Sequence, residues 1–293
     1  MELMTATALA ISVVAAFRST WSPCGVSMLS SITPLSEAGR GHRYWATVSW
    51  FVVGSVLGGL TLGAVAALGA MAVAGLGLST SGSAAFVLAA GLITLASDLG
   101  IGGFRLPANP RQVERTWLDR YRPWIYGLGF GWQLGVGVAT YVMSASIYLM
   151  VIVAAATGEP WLALGVVTLF GLLRGLAILP ASGVRTPTDL GRLHRRIERL
   201  RPTSRVVALA GQIGVLTVVV VLLAGVPVAL VMAAALSVAA WVFRGGLSDP
   251  APRVRVPDSP AELTQPDYSG SSPNRPQATK RARPISTTLA MIG

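Results

Sequence analysis

Apolar residues run along this chain in stretches long enough to cross a lipid bilayer, separated by short segments that collect arginine, proline and glycine. A span needs about 20 mostly apolar residues. Seven stretches approach that: roughly 4–32, 44–72, 83–104, 124–156, 161–180, 206–224 and 226–243. Only Gly225 parts the last two. One helix across both would be about 57 Å long, far beyond a hydrocarbon core of about 30 Å, so a tight hairpin at Gly225 and Pro227 is expected. The expected fold is an all-α integral membrane protein with seven transmembrane helices.

Charge placement tests the count independently, because short cytoplasmic loops gather Arg and Lys while exported ones do not. Basic residues occupy the first loop (Arg40, Arg43), the third (Arg105, Arg111, Arg115, Arg120, Arg122), the fifth (Arg185, Arg192, Arg195, Arg196, Arg199, Arg201, Arg205) and the tail after Arg244. The second, fourth and sixth loops contain none. The alternation predicts a multi-pass protein of the cell membrane with its amino terminus outside and its tail in the cytoplasm. Six spans would turn Lys280, Arg281 and Arg283 outward. Trp45, Trp117, Trp124 and Trp241 fall near predicted inner ends and Trp161 near an outer one, as interfacial aromatics do. The first stretch carries Glu2 rather than a basic leader, and reads as a span rather than a cleaved signal peptide.

The domain expected is a transmembrane bundle over 1–244, followed by a disordered cytoplasmic tail over 245–293, where proline and serine replace large apolar residues. The KRAR run at 280–283 either is solvated or touches membrane or a partner. Two basic loops carry amphipathic patterns. In the fifth, Thr186 can cap, Pro187 suits the first helical position, Asp189 completes a capping box, and Leu190, Leu193, Ile197 and Leu200 share a face. In the third, Asn109, Pro110, Gln112, Val113 and Trp117 repeat the pattern. Each is either a short helix lying against anionic lipid headgroups or a solvated connector.

Composition agrees with lipid as the solvent: 53% of residues are hydrophobic and 12% charged, with a mean hydropathy of +0.62. The net charge of +11 comes mostly from segments between spans, which argues against nucleic-acid binding. A single cysteine, Cys24, cannot form an internal disulfide, and two histidines in separate loops cannot form a metal site. No cofactor is implied.

The first span holds the densest chemistry. FRSTWSPCG places Arg18, Trp21, Ser22, Pro23 and Cys24 within eight residues. Pro23 lacks an N–H and its ring clashes with the Ser19 carbonyl, while Ser22 is pushed away from helical angles, so the helix should break there. Ser22 then caps a second half-helix with Cys24 in its first turn. A thiol at that position is favoured as thiolate by the helix dipole and disfavoured by burial. The alternative is that Cys24 is a small buried hydrophobe beside a kink.

Ser22-Pro23-Cys24 within a first transmembrane helix, preceded by Phe17 and Trp21, resembles the CcdA/DsbD family of transmembrane thiol–disulfide carriers, known from cytochrome c biogenesis. The resemblance implies inverted three-helix repeats, about 4–104 and 124–224, with 226–243 as an extra helix, and a thioredoxin-like or other thiol protein as partner. Each repeat would open with a broken helix bearing one redox cysteine. Laying Trp21-Ser22-Pro23-Cys24-Gly25 on Trp132-Gln133-Leu134-Gly135-Val136 puts Gly135 where the second cysteine would stand. The second half lacks the proline, leaving Gly127, Gly129, Gly131, Gly135 and Gly137 to unwind it.

Arg18, Asp98 and Arg174 lie inside predicted spans, where charge is costly and faces the bundle interior or water. Asp98 and Arg174 fall at similar depth and are expected to pair, while Arg18 tunes the break. Gln133 and Gln212 are polar candidates for the same cavity or for interhelical hydrogen bonds. Gly54, Gly58, Gly59 and Gly63 are spaced for close helix packing inside the bundle, or for a dimer face. Three functions remain open: thiol–disulfide exchange through Cys24, with Ser22, Pro23 and Arg18 in support; transport of a small solute, an anion among the choices; and a non-catalytic scaffold.

Overall fold

The computed structural model describes residues 2–106, 117–139 and 142–243, and every regular element among them is helical. The expected tail and most of the third-loop pattern fall outside the described residues. In chain order the helices are α1 (Glu2–Ser19), α2 (Pro23–Ser31), α3 (Pro34–Gly39), α4 (Tyr44–Gly75), α5 (Thr80–Leu99), α6 (Trp117–Arg120), α7 (Pro123–Val136), α8 (Ser146–Ala156), α9 (Pro160–Leu176), α10 (Pro187–Ala224) and α11 (Val226–Phe243). Five helical segments are long and apolar enough to cross a membrane: Glu2–Ser19, Tyr44–Gly75, Thr80–Leu99, Pro160–Gly183 and Pro187–Ala224. The chain is a multi-pass helical membrane protein.

Two of the seven apolar stretches are not single helices. The first splits into α1 and α2 at Thr20-Trp21-Ser22. The fourth splits into α7 and α8, because Gly137 takes φ +72, a left-handed value that ends α7 without the strain a side chain would bring. At Gly225 the chain turns back sharply. Leu209, Ile213 and Leu216 of α10 share a cluster with Met232, Leu236 and Ala240 of α11, a pairing that only a fold-back permits.

The fifth-loop pattern does not form a separate surface helix. Thr186 and Asp189 make the expected capping box, but the helix they start continues for 38 residues through Pro202. Ile197 and Leu193 face Trp21, Leu29 and Ala181 instead of lipid. Burial against protein extends the helix where a lipid-lying segment would have bent. The basic segments gather at one end of the bundle: the Leu35 N–H donates to the Val184 carbonyl, and Leu118, Tyr44 and Ile32 share one apolar cluster.

Glycine sets the spacing at the centre. A Cβ on Gly54 would lie 2.1 Å from the Leu128 carbonyl oxygen, and one on Gly135 would lie 2.1 Å from that of Ser55. Gly59 meets Gly171 and Gly63 meets Leu164. One glycine pair of α4 therefore seats α7 and the other seats α9, which assigns these spacings to packing within the bundle. Ser55 adds a hydrogen bond across the second contact, donating to the Gly171 carbonyl at 2.7 Å.

Gly135→Ala should lower the apparent melting temperature of the detergent-purified protein, with an overpacking cost of about 1–3 kcal/mol or more. Gly165→Ala, whose new methyl meets nothing within 4 Å, should leave it unchanged or raise it.

Candidate functional site

The first break satisfies its own backbone. Thr20, Trp21 and Ser22 N–H groups donate to the Phe17, Arg18 and Ser19 carbonyls at 3.1–3.2 Å, tightening the last turn of α1. The Ser22 bond occupies the carbonyl that Pro23 cannot serve. Ser22 then sits at φ −64, ψ 150 and its Oγ accepts from the Gly25 N–H at 3.1 Å, capping α2. Trp21 is buried and its indole N–H donates to the Ile197 carbonyl at 2.8 Å, fixing the break to α10.

Asp98 governs the second break. Its carboxylate accepts from the Ser144 hydroxyl, the Ala145 N–H at 2.7 Å and the Gln212 amide at 2.6 Å. A carboxylate from α5 thus caps α8, whose flanking residue Ala145 has no side chain to do so. The cation acting on Asp98 is Arg18, whose buried guanidinium also donates to Ser204 at 3.0 Å. The expected pairing of Asp98 with Arg174 does not form: Arg174 reaches Ser22, and the cation within electrostatic reach of Asp98 is Arg18. Equal depth did not decide the partner; the position around the bundle did, since α5 packs on α8 and α10 while Arg174 on α9 turns toward the first break.

There Arg174 is 3% exposed, and its Nη2 reaches Ser22 Oγ at 3.4 Å while its Nε has no hydrogen-bond partner. It lines a cavity of about 20 Å³ with Ser19, Thr20, Gly25, Phe51 and Leu134. Cys24 is 1% exposed and packs with Met28, Phe51, Tyr126 and Phe130, within electrostatic reach of Arg174. Gln133 is half-buried on α7 and does not line this cavity. Gly135 is not at a break at all, because the break follows Gly137, and the backbone of Ser55 leaves its position no room for a cysteine side chain.

One buried cluster carried no expectation. Glu37 of α3 is fully buried, paired with Arg40 at 3.0 Å, and accepts hydroxyl bonds from Thr47 at 2.6 Å and Tyr126 at 2.7 Å. His42 Nδ1 lies 3.4 Å from the same Tyr126 hydroxyl. The signal available was a repeated one: Gly39-Arg40-Gly41-His42-Arg43 and Gly191-Arg192-Leu193-His194-Arg195 both follow a Thr-Pro cap and share G-R-x-H-R. The second copy places His194 Nε2 at 2.7 Å from Ser30 Oγ, and Arg40 of the first donates to the Ser31 carbonyl at 3.1 Å. Both copies therefore meet at the carboxyl end of α2.

Methylamine utilization protein MauF of Paracoccus versutus is 32% identical over 185 residues, covering 61% of this chain and 67% of that protein. MauF of Paracoccus denitrificans is 34% identical over 193 residues, covering 62% and 68%. MauF of Methylobacillus flagellatus is 30% identical over 205 residues, covering 66% and 70%. The chain belongs to the MauF family. Membership in the MauF family overturns the CcdA/DsbD resemblance; Ser22 caps α2 at the break, and the position the resemblance gives to a second cysteine is Gly135, packed against the Ser55 backbone. No family model matches the chain, and no solved structure matches it.

If Asp98 neutralises Arg18 in this MauF-family bundle, Asp98→Asn should lower the melting temperature and adding Arg18→Met should recover part of the loss. A coupling of about 0.5–3 kcal/mol is the usual range for contacting residues; strictly additive losses in thermal unfolding would refute the pairing.

Proposed function

We propose that this protein serves methylamine utilization as a membrane-embedded binder or carrier of a small polar solute, working at the polar centre where two of its helices are interrupted. The observation that carries the reading is the line Ser204, Arg18, Asp98, Ser144 and Gln212, which ties the end of α1 to the start of α8. Intramembrane charges are expensive and usually mark a solute path or its supports, and interrupted helices are typical of midplane binding sites. The relatives' name, methylamine utilization protein, supplies the physiological setting.

In this reading the bundle over 1–244 crosses the bilayer seven times, with α1/α2 and α7/α8 each making one crossing. Two inverted three-helix repeats then bring the breaks together, and α11 is the extra helix. The amino terminus lies outside, the tail inside, and the arginines of α10 face anionic headgroups at the cytoplasmic surface. Cys24 contributes packing. Its burial among aromatic rings supports that role, because a sulfur so enclosed has no approach for a second thiol protein.

The test is growth on methylamine as sole nitrogen source in a methylotroph lacking its own MauF. The wild-type chain and Cys24→Ser should restore growth, and Asp98→Leu should not, with equal protein in the membrane fraction. Failure of the wild type would remove the methylamine setting. Loss of growth with Cys24→Ser alone would replace solute binding by chemistry at the thiol.

A further inference from the structure

We propose that the cavity between the start of α2 and Arg174 is a binding site for one small monovalent anion of halide size. The inference rests on the reading of a solute-binding polar centre and names the chemistry of one part of it. Three observations converge. The first is charge. Of the two buried arginines among the described residues, Arg18 lies within electrostatic reach of Asp98. Arg174 faces no carboxylate among the described residues; its polar contact is the long bond to Ser22 Oγ. An uncompensated buried charge costs several kcal/mol, so a site that keeps one is built for a counter-charge.

The second is direction. The Nε of Arg174 is buried without a partner, and the residue lines the cavity. The same cavity is lined by Gly25 in the first turn of α2, a nine-residue helix whose amino end carries partial positive charge. At α8 the corresponding need is met from inside the protein by Asp98. At α2 the cap is the neutral Ser22 hydroxyl, and an arginine stands where an acid would be expected.

The third is size. A volume of about 20 Å³ admits a single water-sized guest. Ser19 and Thr20 edge it, while Met28, Leu29, Phe51, Leu134 and Ile178 supply apolar walls. A monatomic anion fits that combination; a carboxylate metabolite or a phosphate ester does not. The last turn of α9 partly offsets the charge of Arg174 through its dipole, but no carbonyl there accepts from Nε, so the donor remains available.

The test uses the full chain purified in detergent, with sodium chloride or sodium bromide exchanged for sodium gluconate at constant ionic strength. Chloride and bromide should raise the melting temperature of the wild type by several degrees, and chloride-35 NMR should show line broadening that bromide competes away. Arg174→Met should abolish both effects. Should that variant fail to fold, Arg174→Lys, which keeps the charge but loses the fork, should weaken halide affinity by roughly tenfold. Equal melting in all three salts with no line broadening overturns the proposal, as does a halide effect that survives Arg174→Met. An absorbance band near 240 nm present in the wild type and lost in both Cys24→Ser and Arg174→Met would also overturn it, by making the Cys24 thiolate the counter-charge. Growth on methylamine is read separately, so failure of halide binding and failure of the solute-binding reading give different results.

Discussion

Inside a bilayer, a helix that stops must find partners for the backbone groups it exposes, because no water is there to take them. This requirement organises the bundle. At the first break the tightened turn at Phe17 to Ser22 and the Ser22 cap satisfy the chain locally, and the Trp21 indole satisfies the Ile197 carbonyl in the neighbouring helix. At the second break the chain cannot do so from its own residues, and α5 sends Asp98 across to cap α8. A carboxylate in that position brings its own desolvation cost, which Arg18, Ser144 and Gln212 offset. The intramembrane charges thus follow from the interruptions.

The interruptions in turn depend on close helix packing. Irregular backbone at membrane depth is tolerated where protein surrounds it, and α4 provides that surround by bringing its backbone into contact with α7 on one side and α9 on the other. A methyl group at Gly54, Gly131 or Gly135 would already intrude to about 2 Å of a carbonyl oxygen. Ser55 sits between the two contacts, fully buried, and joins α9 through its hydroxyl.

Much of this was legible in the sequence, for reasons of local chemistry. Proline, serine and glycine act on their own neighbours, so the break at Pro23, the cap at Thr186, the turn at Gly225 and the tight faces of α4 were readable residue by residue. The second break was foreseen only as an unwinding among five glycines; of these, Gly137 alone among them takes positive φ, and the others serve contacts with α4, the third-loop tryptophan Trp117 or the bulk of Trp50. Partner choice was not legible. Three ionisable groups within the spans allow several pairings, and selection between them depends on rotation of each helix about its axis, which no single segment encodes. The resemblance to a thiol-carrier family failed for a related reason: a Ser-Pro cap with a cysteine in the next turn is what any proline-broken membrane helix with that residue would display.

Glu37 was missed because a lone acid in a basic loop looks solvated, whereas α3 turns it inward beneath Tyr126. Its position bears on α2. A nine-residue helix has little stability of its own, since nucleation is costly and propagation over so few residues recovers little. The place of α2 must therefore be imposed from outside. Ser22 and Trp21 hold its amino end, and Arg40 and His194 hold its carboxyl end through Ser31 and Ser30. Cations and a histidine beside the carboxyl end also suit the negative pole of the helix. The two G-R-x-H-R segments and the buried glutamate that orients the first of them act together as the frame that keeps a short, intrinsically weak helix aimed at Arg174.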